Sequence, residues 1–320
     1  MKTPSEKLRG IIVPLVTPFK ADGRVDAESL RKLVEYVIDG GVNGIFVMGT
    51  TGEFQYLKFE EQRSAIQAVV DAGGDRVPVA AGVTGKSVEE TTRNVIEIGC
   101  LPTPPHALVI APLYYHSNRN LCRHMERLSR LSKLPVLLYN NIGILTRRWK
   151  RKDIIPDLVG EMALLPNVLG IKDSSGNRVY LTRLLRFQSP GFHIFQGDEA
   201  LLLDALQQGA AGAVSSMANI FPRLLAATYD AHNRGQRKAA EACQRAINQI
   251  DGLYPDASSI PPILKAYLAR QGIIASPRSY CPIAGDADTI SQRIELKIHE
   301  LKQQGYDIRT ANRISERRQK

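Results

Sequence analysis

The chain has 320 residues, enough for one large α/β domain or two ordinary ones with a full core. Its composition, 43% hydrophobic and 23% charged, is that of a globular protein, and no apolar run approaches the roughly 18 residues that cross a bilayer. The net charge of 42 − 32 = +10 invites an anion or nucleic-acid reading, but much of the excess sits in Arg147-Arg148-Trp149-Lys150-Arg151-Lys152 and in the tail from Arg309 to Lys320. Neither has interleaved aromatics or zinc-ligand spacing, so both read as solvated surface, a subunit contact or a frayed end in preference to nucleic-acid recognition.

In chain order, short β-like runs alternate with helical patterns, the signature of repeated βα units around a parallel sheet. The piece from Ile11 to Val16 reads as a first strand and is too short for a signal-peptide core. Asp26 caps a helix with Leu30, Leu33, Val34 and Val37 at helical spacing, stopped by Gly40-Gly41. Ile45 to Met48 makes a second strand, followed by Gly49-Thr50-Thr51-Gly52-Glu53 and a helix from about Phe59 to Asp71. Pro78 to Gly82 is a third, and Ser87-Val88-Glu89-Glu90 opens its helix with a capping-box pattern. Ala107 to Ala111, Pro135 to Asn140, Val168 to Lys172, His193 to Gln196 and Gly212 to Ser216 complete eight strands before about Gly235.

Eight such units predict an α/β fold, a closed (β/α)₈ TIM barrel over residues 8–235. Helical patterns follow at Ala239 to Ile250, Pro262 to Arg270 and Asp288 to Gln304, with no linker composition before them. They predict a C-terminal helical extension over 236–305 packed on the barrel, and then a flexible basic tail over 306–320.

In a parallel barrel the carboxyl ends of all strands face one mouth. The residues gathered there are Thr17, Thr50, Thr51, Tyr114, Tyr115, Tyr139, Lys172, Gly197-Asp198-Glu199 and Val214 to Ser216, a set rich in hydroxyls with one amine. An ammonium on an inward-facing, partly dry strand end is disfavoured relative to the neutral amine, and a neutral lysine amine is a nucleophile toward ketones. The alternative is a rim lysine paired with Asp173. Gly49-Thr50-Thr51-Gly52 offers hydroxyls and backbone N–H groups to a small carboxylate, or is an ordinary turn with Thr51 as helix cap. Tyr139 is either a strand residue with its hydroxyl satisfied at the rim or a proton carrier beside Lys172.

The six histidines show no HxH or HExxH spacing, so no metal is expected. Four scattered cysteines without paired spacing fit a reducing cytoplasm.

Gly49-Thr50-Thr51-Gly52-Glu53, Tyr139-Asn140 and Gly170-Ile171-Lys172-Asp173, in that order, resemble the dihydrodipicolinate synthase / N-acetylneuraminate lyase family of pyruvate-dependent class I aldolases. The resemblance runs from about Leu8 to beyond Gly272. It implies Lys172 as the imine-forming lysine and Tyr139 as the proton donor. Thr50 and Thr51 match the threonines that bind the pyruvate carboxylate and relay protons, and Val214 matches a backbone contact to pyruvate. Tyr115, with Tyr114 as the alternative, matches a tyrosine lent across a dimer interface. The implied assembly is a homotetramer of tight dimers, and the implied chemistry uses a small-molecule 2-keto acid substrate and no cofactor.

Synthases of this kind continue Tyr-Asn-x-Pro-x-Arg-Thr after the fifth strand, the arginine holding a substrate carboxylate. Here Ile144 stands in its place in Tyr139-Asn140-Asn141-Ile142-Gly143-Ile144-Leu145-Thr146. Sialic-acid lyases tend to carry Ser-Thr at positions 50 and 51 and an aromatic at position 140, which are absent. The pattern is closer to 2-keto-3-deoxy sugar-acid aldolases, with dihydrodipicolinate synthase as the alternative and a non-catalytic keto-acid-binding barrel as a further one.

Overall fold

A computed structural model describes residues 8–112, 117–141, 153–253, 260–281 and 286–303. Eight strands, β1 (Gly10–Pro14), β2 (Gly44–Val47), β3 (Val79–Gly82), β4 (Ala107–Ile110), β5 (Val136–Asn140), β6 (Val168–Asp173), β7 (His193–Gln196) and β8 (Gly212–Val214), run parallel in sequence order. β8 pairs with β1 and closes the barrel. The expected (β/α)₈ barrel with C-terminal helices is therefore the observed fold.

Helices alternate with the strands: α1 (Ala27–Asp39), α2 (Phe59–Gly73), α3 (Val88–Gly99), α4 (Asn118–Leu131), α5 (Pro156–Met162), α6 (Arg178–Leu185), α7 (Leu202–Gln207) and α8 (Pro222–Asn233). Beyond them lie α9 (Arg237–Asp251), α10 (Ile260–Arg270) and α11 (Ala287–Gln303). Asp26 caps α1, its carboxylate accepting from the N–H groups of Glu28 and Ser29. The Ser87 hydroxyl accepts from Glu90 N at 3.1 Å as the capping pattern predicts, but Glu90 reaches past the cap to accept from Lys86 N at 2.8 Å. Among the described residues, no helix is long and apolar enough to cross a membrane.

Strand periodicity divides the core in two. Ile11, Val13, Ile45, Val47, Leu108, Ile110, Leu138 and Ile171 face outward into one apolar cluster with the helices. Ile12, Phe46, Ala80, Val109, Leu137, Tyr139, Phe195 and Val214 alternate with them and fill the barrel interior. Ala246, Ile247 and Ile250 of α9, with Ile263 and Leu264 of α10, belong to the outer cluster, so the C-terminal helices share the core of the barrel.

Two predicted strands stop short of their apolar runs. β1 ends at Pro14, and Val16 N donates instead to Asn219 Oδ1 at 3.0 Å. β8 ends at Val214, because Ser216 to Asn219 turn into a 3₁₀ segment. On β6 the register with β5 shifts by one residue, from Val136↔Val168 to Leu137↔Gly170. The bulge sets every later side chain on β6, Lys172 included, to its present face. Gly170 allows it, since a Cβ there would run into the carbonyl oxygen of His193.

Candidate active site at the carboxyl mouth of the barrel

Ile171 points outward, so Lys172 points in, and the register sets it directly beside Tyr139 of β5 and Phe195 of β7. Its side chain is buried, at 5% exposure, with Nζ 4.2 Å from the Tyr139 ring centroid and 5.6 Å from that of Phe46. Among the described residues no carboxylate lies within ion-pair distance of it. Gly197 leaves the space the lysine fills, as a Cβ there would lie 3.0 Å from Lys172 Cε.

Asp173 is not the partner of Lys172. It is fully buried and faces the opposite way, accepting from Asn140 Nδ2 at 3.0 Å and from the Ser175 N–H and hydroxyl, each at 3.0 Å. Burial raises its pKa, and those hydrogen bonds act against the rise. Asn140 also donates to Asp153 Oδ1 at 2.9 Å, tying the chain that enters α5 to the ends of β5 and β6.

The Gly49–Gly52 turn is held by bonds from Gly52 N to Gly49 O and from Glu53 N to Thr50 O, both 3.0 Å. It is bracketed by Met48 and Glu53 in left-handed conformations, φ 60° and 59°. Such backbone is costly for residues other than glycine and persists only where the surroundings enforce it. Thr51 caps no helix: a 3₁₀ turn over Phe54–Tyr56 follows, and α2 begins only at Phe59. Among the described residues the N–H groups of Thr50 and Thr51 have no acceptor, and the Thr51 hydroxyl has no partner. Thr17 supports this turn from below, its hydroxyl donating to Gly52 O at 2.7 Å.

Thr50 and Tyr139 meet through Asn141. Its Nδ2 lies 2.7 Å from Tyr139 Oη and 3.4 Å from Thr50 Oγ1. Val214 lies on the inner face of β8, opposite Ile12 of β1. The hydroxyls of Ser215 and Ser216 do not face the mouth as free groups. They donate to Glu199 Oε1 at 3.1 and 2.7 Å, beside Met217 N at 3.0 Å. Burial raises the pKa of the neighbouring Asp198. Tyr114, Tyr115, Ile144, Arg147 and Arg148 lie outside the described residues, as does the basic tail.

A buried ion pair between Glu53 and Lys265 stands directly behind the turn. Lys265 Nζ also donates to Arg278 O at 3.1 Å and sits 3.9 Å from the Phe19 ring centroid. Glu53 Oε1 accepts from the Ser279 hydroxyl at 2.7 Å and from the N–H groups of Tyr280 and Cys281 at 2.6 and 2.9 Å. Burial pushes the Lys265 ammonium down to about 8 against the attraction of Glu53, and pushes the Cys281 thiol up to about 12. The one available signal was a lone charge in the otherwise apolar run from Ile260 to Ala269. Among the described residues, no group of three His, Cys, Asp or Glu side chains is arranged to hold a metal ion.

Comparison with known proteins bears on this geometry. A model of the family described as "Dihydrodipicolinate synthetase family" matches residues 7–301. The chain belongs to that family. It is 34% identical to a 4-hydroxy-tetrahydrodipicolinate synthase of Syntrophus aciditrophicus, over 83% of this chain and 89% of the relative. It is 33% identical to the protein of that name from Methanoculleus marisnigri, over 84% and 91%. Among solved structures it resembles YagE, a prophage protein of the dihydrodipicolinic acid synthase family from E. coli K12 in complex with pyruvate. The TM-score is 0.83 and the identity 27%, over 92% of this chain and 99% of that one.

Dihydrodipicolinate synthetase family members are class I enzymes that form a lysine Schiff base with pyruvate. The chain is accordingly an enzyme of pyruvate-dependent, carbon–carbon bond chemistry acting on small molecules.

Proposed function

We propose that Lys172 is the imine-forming lysine and that the enzyme cleaves a 2-keto-3-deoxy sugar acid to pyruvate and an aldehyde. Lys172 Nζ attacks the C2 ketone, the C2 oxygen leaves as water with the Tyr139 hydroxyl supplying the proton, and an iminium results. The iminium draws electrons from C3, so a bond at C3 breaks or forms through an enamine. The adjacent faces of Tyr139 and Phe46 support this reading, because aromatic faces attract the cation that condensation creates.

Thr50 and Thr51 take the pyruvate carboxylate on their N–H groups and on the Thr51 hydroxyl, with that hydroxyl close to the proton traffic and the Val214 backbone completing the pyruvate contacts. Tyr115, or Tyr114 in its place, reaches a neighbouring subunit's site in a homotetramer built from tight dimers.

The observation that carries the choice of substrate is Ile144. It offers an alkyl group where a synthase would offer an arginine to a second carboxylate.

The names of the curated relatives favour a second reading, condensation of pyruvate with aspartate semialdehyde to 4-hydroxy-tetrahydrodipicolinate. Purified enzyme assayed for pyruvate release from 2-keto-3-deoxygluconate and related acids, and for pyruvate uptake with aspartate semialdehyde, separates the two. Cleavage at a kcat/KM at least tenfold above that for condensation is expected. The reverse ratio would establish the synthase.

A further inference from the structure

Asn141 follows β5 directly, and its side-chain amide stands between two hydroxyls of the site. Nδ2 carries two hydrogens, one directed to Tyr139 Oη at 2.7 Å and the other to Thr50 Oγ1 at 3.4 Å. Both hydroxyl oxygens therefore accept, and each hydroxyl keeps its own hydrogen for another acceptor. Tyr139 is buried at 6% exposure, and Lys172 Nζ lies over the face of its ring, 4.2 Å from the centroid.

We infer that Asn141 is the positioning residue of proton transfer in this enzyme: its amide fixes the Tyr139 hydroxyl oxygen as an acceptor, leaves the hydroxyl hydrogen for the reacting partner, and separates it from Thr50. The inference rests on the reading of Lys172 as the imine lysine.

Two physical consequences follow from an amide in this place. An N–H donor strengthens as its acceptor becomes anionic, so Asn141 stabilises the phenolate formed when Tyr139 gives up its proton. An amide nitrogen also has no lone pair free to take a proton, so protons do not travel from Thr50 to Tyr139 through it.

The steps balance around this group. The neutral carbinolamine receives the Tyr139 proton on its C2 oxygen and loses water, leaving an iminium and a phenolate. The phenolate then removes a proton from C3, which gives the neutral enamine and restores the phenol. Asn141 donates throughout and is itself unchanged.

The test reads proton transfer without any aldehyde. Wild type, Asn141→Leu and Asn141→Asp are incubated with pyruvate in D₂O across a pH series. Deuterium entry at the pyruvate methyl group is followed by NMR, and borohydride-trapped adduct is measured by mass spectrometry. Both variants should trap pyruvate on Lys172 to the wild-type extent after long incubation, which shows the pocket intact. Asn141→Leu should exchange at least tenfold more slowly.

Asn141→Asp should be slower still at neutral pH, because a carboxylate takes the Tyr139 hydrogen for itself. It should recover as pH falls and the carboxyl becomes a donor. Exchange in both variants at the wild-type rate with the wild-type pH profile would overturn the role of Asn141 alone, as would equal slowing of both variants with no change in profile. Absence of any adduct in the wild type would instead remove the imine reading beneath it.

Discussion

At the residue scale, Lys172 and Tyr139 divide the chemistry by what each atom can do. The amine alone can bond to C2, so Lys172→Ala should give no borohydride-trapped adduct with pyruvate. Tyr139 moves protons without forming the bond, and general acid–base groups typically contribute about 10²- to 10⁴-fold. Tyr139→Phe should therefore still be trapped while turnover falls within that range, measured as kcat against adduct yield. Wild-type turnover in Tyr139→Phe would remove its assigned role. Both residues were readable in the sequence because each ends an apolar strand. Asn141 was passed over because its meaning depends on Thr50, 91 positions away in the chain.

At the element scale, the turn carrying Thr50 and Thr51 is braced from behind by the Glu53–Lys265 pair, which joins β2 to α10 and to the 278–281 segment. Removing one partner of a buried pair strands the other charge, at a cost of about 3–5 kcal/mol. Lys265→Met should lose about that much stability in urea titrations and raise the KM for pyruvate, since the left-handed Glu53 anchors the turn. The double variant Glu53→Gln, Lys265→Met should recover part of the loss because no charge is left unpaired. A double variant no more stable than Lys265→Met would show that the pair acts through packing alone.

Element boundaries follow the same logic of partners. The run from Ile11 to Val16 reads as a strand throughout, yet Pro14 has no N–H to donate and Asn219, from the segment that follows β8, takes the N–H of Val16. Thr51 was a plausible cap on local pattern, but the chain first spends Phe54–Tyr56 in a 3₁₀ turn.

At the scale of the whole molecule, stability should depend on pH through His124 of α4, which is buried. Burial, with Arg127 adding to it, pushes its imidazole down from 6.5 to about 4. Between those values the unfolded chain binds a proton that the native state refuses. The free energy of unfolding therefore falls as pH drops from 6.5 toward 4, and the term is absent above that window. His124→Leu should flatten this slope. The difference between wild-type and variant urea midpoints over that window isolates the imidazole from Asp251, whose carboxyl is pushed up to about 6 by burial and acts in the opposite sense. Equal slopes would show that His124 does not titrate there.

Sequence by itself determined what depends on local repetition. Short continuous apolar runs separated by helical patterns specify parallel strands covered on both faces, and eight of them close a barrel. Lysine and tyrosine at two strand ends then have to share one mouth. Tertiary structure alone decided which polar groups answer one another there. Lys265 meets Glu53 across 212 positions, Asp173 turns to Asn140 and Ser175 and away from Lys172, and Asn141 bridges two hydroxyls. Such pairings carry no periodicity, because they exist only once closure of the sheet brings distant strand ends within hydrogen-bond reach and burial makes each unsatisfied polar group costly.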